Sequence, residues 1–184
     1  MPFIVVYDAN VLYPGHLRDL LVRVAQAGLA QAKWTEQILD ETFRNLKKNR
    51  PDLDPTRLDR TRKLMNEAIR DVLVTGYEPL IEVVDLPDDP DDRHVLAAAI
   101  KANAQVIVTD NIKHFPQDKL DPWNIEAQTA DDFVQDLIDL NRQTVYAQVQ
   151  RMADSWKNPP GTVDDVLNAL EHCGLVGSVA ALRD

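Results

Sequence analysis

Phe3-Ile4-Val5-Val6-Tyr7 is an unbroken apolar run that stops abruptly at Asp8, with an amide, Asn10, two residues on. A continuous run with a sharp polar stop reads as a strand buried on both faces, the kind found inside parallel sheets. Ala104 to Thr109 repeats the pattern and is stopped by Asp110-Asn111. Between them lie segments with helical spacing. His16 to Ala32 carries Leu17, Leu20, Leu21, Val24 and Ala25, and Glu36 to Lys48, capped by Thr35, carries Ile38, Leu39, Phe43 and Leu46. Thr56 to Val74 reads as a basic helix, Leu80 to Leu86 as a short strand, and Asn124 to Ala127 as a last strand. Strands alternating with helices predict a parallel α/β sheet.

From about Gln128 the pattern is helical only. Leu137, Leu140, Val145, Val149 and Met152 indicate one or two helices, broken at Pro159-Pro160-Gly161, and Thr162 opens another that runs to about His172. The chain therefore divides into an α/β part, residues 1–128, and a helical extension, residues 129–184.

The chain of 184 residues, 45% apolar with 6 glycines, is long enough for one good core. Its single cysteine, Cys173, leaves neither a disulfide framework nor a cysteine-rich zinc site. No basic segment precedes the first apolar run, and no run reaches the ~18 residues of a membrane span. We expect a cytoplasmic protein with no membrane partner. The net charge of −10 argues against non-specific binding of nucleic acid. The average hides an asymmetry, because Arg44 to Arg70 holds nine Lys/Arg against four acids. Such a segment serves either as a solvated helical face or as a phosphate-contacting rim to which Arg44, Lys47 and Lys48 would contribute.

The acids carry the chemistry. In open parallel sheets ligands bind beyond the carboxyl ends of strands, where Asp8 and Asp110 stand. Pro90 begins a helix capped by Asp89, and on its wheel Asp92 falls within the arc of Val95, Leu96, Ala99 and Ile100, with Asp91 at the edge. Acids are favoured at a helix start, which accounts for Asp89 and Asp91. A carboxylate aimed at the core costs several kcal/mol unless it is paired or metal-bound, so Asp92 needs a partner. Glu41 lies beside the apolar stripe of its helix. Pooled in one cleft, Asp8, Glu41, Asp92 and Asp110 could not all ionise without a counter-cation. All-oxygen ligation suits Mg2+ or Mn2+. Such a site positions a phosphodiester and an attacking water.

Val5-Val6-Tyr7-Asp8-Ala9-Asn10-Val11-Leu12, Ile38-Leu39-Asp40-Glu41, Asp89-Pro90-Asp91-Asp92-Arg93-His94-Val95-Leu96 and Val108-Thr109-Asp110-Asn111 with Phe115-Pro116 follow one another in an order that resembles the PIN-domain ribonucleases. The likeness is closest to the VapC-like toxins of bacterial type II toxin–antitoxin systems, with a helical extension added. The resemblance implies a three-layer domain around a central parallel sheet of about five strands, and a metal-dependent endoribonuclease. It implies catalytic roles for Asp8, Glu41, Asp92 and Asp110, with Asp8, Asp92 and Asp110 holding Mg2+ or Mn2+. Asn10 and Thr109 would support the site by hydrogen bonds. Asp91 competes with Asp92, and Glu36 or Asp40 with Glu41. The family often has its fourth acid two residues after the threonine, where this chain has Asn111, so Asp110 and Asn111 compete for that place. The implied partners are RNA, a second copy of the chain, and a small, partly disordered antitoxin. The antitoxin would seat in apolar grooves between the early helices and block the acidic pocket.

Two other readings compete. A haloacid-dehalogenase-like phosphatase would use Asp8 as a covalent nucleophile, but it wants an acid at Asn10 and a lysine shortly before the acid pair, where the nearest upstream is Lys63. A degenerate, non-catalytic PIN-like binding module would have no need of the acids.

Overall fold

A computed structural model describes residues 3–87 and 89–184. Strand β1 (Ile4–Tyr7) is buried in the middle of the sheet and ends at Asp8, whose side chain caps the single turn α1 (Ala9–Leu12). Helix α2 (Gly15–Gln26) buries Leu17, Leu20, Leu21 and Val24, and Gly28, at φ +85°, turns the chain back into β2 (Gln31–Lys33). Thr35 caps α3 (Glu36–Asn49), and Asp54 with Pro55 starts α4 (Pro55–Ala68). After a short helical turn, α5 (Glu78–Ile81), a 3-10 turn at Pro90–Asp92 leads into α6 (Arg93–Lys101) and β3 (Val106–Val108). A second 3-10 turn at Ile112–His114 precedes α7 (Gln117–Leu120) and β4 (Glu126–Gln128).

The sheet is parallel, in the order β2-β1-β3-β4. Four strands form where about five are expected. The edge beyond β2 gains only a bridge, in which Trp34 N donates to Val72 O (3.0 Å) and Val74 N to Trp34 O (2.9 Å). That bridge explains why the basic helix stops at Ala68 rather than Val74: residues 69–74 are drawn out along the sheet edge, and Asp71 turns at φ 55°. The expected helix over His16 to Ala32 likewise ends at Gln26, because Gly28 opens a turn and β2 follows. The expected strand at Leu80 to Leu86 does not form. Pro79 favours a helical start, and Val84 and Leu86 enter the core from irregular backbone.

The last helices are α8 (Ala130–Ser155, kinked at Asn141), α9 (Val163–His172) and α10 (Val176–Arg183). Helix α9 begins with a reciprocal capping box between Thr162 and Asp165. Phe133 of α8 meets the rings of Tyr7 and Phe3 edge-on, at 5.9 and 6.1 Å, so these helices share one hydrophobic core with the sheet. Among the described residues no helix is long and apolar enough to cross a membrane.

Candidate active site

The register pairs Tyr7 with Val108, so Asp8 and Thr109 leave the sheet side by side. Strand order reverses direction between β1 and β3, since β2 follows β1 to one side and β4 follows β3 to the other. A crevice at such a switch point is where open α/β sheets bind ligands. A cleft of about 370 Å³ opens there, its lining including Asp8, Asn10, Glu41, Asn45, Asn49, Asp92 and Asn111.

Asp8 is 3% exposed, and both of its oxygens accept hydrogen bonds. Its Oδ1 accepts from Ala9 N (2.7 Å), and its Oδ2 from Thr109 Oγ1 (2.9 Å) and Asn10 Nδ2 (3.3 Å). Asn10 Nδ2 also donates to Thr109 Oγ1 (3.0 Å), and Asn10 Oδ1 accepts from Asp110 N (3.1 Å). Burial and then the charge of Asp92 push the Asp8 carboxyl up to about 7, against the donors from Thr109 and Ala9. Glu41 is raised by burial and Asp92, with Arg44 opposing. Asp92 is raised by burial, and the hydrogen bond from His114 opposes. Asp92 thus raises both Asp8 and Glu41, and Glu41 adds to Asp8, which is the electrostatic mark of a place prepared for positive charge.

Asp8, Glu41, Asp92 and Asn111 meet at this cleft, and Asn10 and Thr109 brace it. Asp110 does not line it. Its carboxylate accepts from Ala130 N (3.3 Å) at the start of α8, while Asn111, one residue on, turns to the cleft and donates its N–H to Thr109 Oγ1 (3.1 Å). Asp91 is exposed outside the cleft. Glu36 and Asp40 are held by Arg62 of α4 and stand apart from it.

On α3 the cleft residues Glu41, Asn45 and Asn49 recur every four positions. At ~100° per residue, Lys48 lies close to their side of the helix, Arg44 at its margin and Lys47 about 160° away. Lys47 instead pairs with Asp59 of α4 at 2.6 Å. Sequence reasoning passed over Asn45 and Asn49, although counting in fours from Glu41 finds both. It also passed over His114, whose Nδ1 lies 2.9 Å from Asp92 and 3.2 Å from Asp89. His94, next to this turn in sequence, is buried with its Nδ1 unpartnered, and burial lowers its pKa while Asp92 and Asp91 pull it up.

The donors facing the cleft are oxygens on three partly or fully buried acids, with Asn111 beside them, a set that fits a hard divalent cation.

A search of solved structures gives no significant match. The putative ribonuclease VapC50 of Mycobacterium tuberculosis is 44% identical over 95 residues, which is 52% of this chain and 55% of that protein. The chain thus spans about half the length of this curated relative. Residues 130–184 match the VapC50 C-terminal domain, beginning where α8 begins. Residues 4–113, from β1 into the turn that ends at His114, match the PIN domain, and the chain belongs to that family.

Proposed function

We propose that the protein is a metal-dependent endoribonuclease and the toxin of a toxin–antitoxin pair. The observation that carries this reading is the gathering of Asp8, Glu41 and Asp92 at one cleft with all three carboxyls raised. Asp8 and Asp92, with Asn111 beside them, would hold Mg2+ or Mn2+. When bound, such an ion acidifies a water and offsets charge on the phosphodiester. Glu41, raised by burial and by Asp92 yet half-open to solvent, accepts the proton that the attacking water gives up. Thr109 and Asn10 keep Asp8 in one rotamer through these steps. Arg44 and Lys48 flank the acids and take the neighbouring phosphates, which the acidic cleft alone would repel.

We assign the nuclease unit to residues 1–128 and a helical unit to 129–184. The relative's name, a putative ribonuclease, supports the activity. A groove between α2 and α4, lined by Val22, Leu64, Met65 and Ala68, with Leu64 50% exposed, would receive the antitoxin, and the toxin would work as a homodimer.

The test is cleavage of RNA by the full chain with Mg2+ or Mn2+. Activity should vanish in chelator and fall about 100-fold or more in D8N, since a few kcal/mol of charge stabilisation would be lost. Equal cleavage by D8N, or cleavage without divalent ions, would reject the assignment.

A further inference from the structure

We infer that His114 is a positioning residue, which holds the Asp92 carboxylate with one oxygen turned to the cleft for the divalent ion. The inference rests on the metal-dependent reading above. His114 Nδ1 lies 2.9 Å from Asp92 Oδ2 and 3.2 Å from Asp89 Oδ2. Ionised carboxylate oxygens only accept, so Nδ1 carries the proton and donates to Asp92 Oδ2, with Asp89 Oδ2 close by.

Asp89 is itself fixed. Its Oδ1 accepts from Asp91 N (3.1 Å), and its backbone carbonyl accepts from Asp92 N (3.1 Å). Asp92 Oδ1, by contrast, has no hydrogen bond among the described residues, although the side chain is only 14% exposed and lines the cleft. One oxygen is therefore tethered and the other left available.

The tether ties together two segments that share no backbone ladder. Asp92 ends the turn before α6, whereas His114 ends the turn that Asn111 begins. The second turn is anchored by Asn111 N on Thr109 Oγ1, by His114 N on Asn111 O (2.9 Å), and by the buried Phe115. Charge gives the tether its purpose. Asp8 and Glu41 line the same cleft as Asp92 and feel its charge, so an untethered Asp92 would swing outward to relieve the repulsion. Groups that orient a ligand from behind typically change metal affinity about 10- to 100-fold.

The experiment is Mn2+ titration of the full chain by calorimetry and electron paramagnetic resonance, with RNA cleavage as a separate readout. H114N places an amide donor at the position of Nδ1, whereas H114Q places it one methylene farther, and H114A supplies none. Mn2+ affinity should fall about 10- to 100-fold in H114A and H114Q. In H114N it should return close to the wild-type value, with the RNA KM at saturating Mn2+ unchanged in all three. H114N and H114Q, close to histidine in bulk, keep the comparison open where H114A fails to fold. Wild-type binding with H114N no tighter than H114Q overturns the inference and leaves the proposed function standing. Failure of the wild type itself to bind Mn2+ or cleave RNA overturns the proposed function instead.

Discussion

Asp8 is surrounded by donors that fix its direction, yet burial and Asp92 make its charge costly. Its carboxyl, at about 7 in the fold against 3.8 in the open chain, binds more protons folded than unfolded between those values. Metal-free stability should therefore fall as pH rises from about 4 to about 7 and level off above that. D8N, which is neutral throughout, should flatten this slope and melt higher than the wild type at pH 7.5 without divalent ions. Added Mn2+ should stabilise the wild type and leave D8N unmoved. Thermal melts across pH decide it, and a wild-type stability that climbs through this range would contradict the burial argument. At this scale Asp8 and Asp92 were legible in the sequence, one from an apolar run that stops dead and the other from a carboxylate on an apolar arc. Asp110 and Asn111 were not separable, because a side chain just past a strand end changes direction with each residue, and the N–H of Ala130, twenty residues away, decides which one turns outward.

Helix α3 turns the acid Glu41 and the amides Asn45 and Asn49 to the cleft on one face. Lys47 is committed to Asp59 and points away from the cleft residues, whereas on the helical wheel Arg44 and Lys48 fall nearer to them. Each phosphate contact contributes about one unit to the salt dependence of RNA binding, so R44A and K48A should each lower that slope by roughly 1. K47A should leave it unchanged. A K47A slope that fell as far as the other two would remove the helical-face assignment. Long helices and continuous strands were readable from periodicity because each buries a recurring stripe. Strand β2 and the bridge at Leu73 were not, since three residues carry no period and their pairing depends on Trp34 and on turns at Gly28 and Asp71. Leu80 to Leu86 misled for the complementary reason: a short apolar run looks the same whether it pairs with a strand or only packs.

Across the whole molecule the C-terminal helices are braced onto the sheet. The Asp131 carboxylate, at the start of α8, accepts from Gly177 N (3.0 Å), Ser178 N (2.8 Å) and Ser178 Oγ (2.7 Å), while Arg142 donates to Leu182 O (2.8 Å) at the far end of α10. Removing a charged acceptor from buried donors costs about 1–3 kcal/mol, so D131A should lower stability by that amount in denaturant melts. Because Asp110 grips the same end of α8, D131A should also weaken RNA cleavage more than the charge-conserving D131E. Equal activities would confine the brace to stability alone.

Strand β1, inside the sheet, is made about a hundred residues before its neighbour β3. Until Thr109 arrives, Asp8 of the nascent chain is an ordinary hydrated aspartate with neither its hydroxyl clamp nor its elevated proton affinity. A product cut short before that point carries the acids without the cradle.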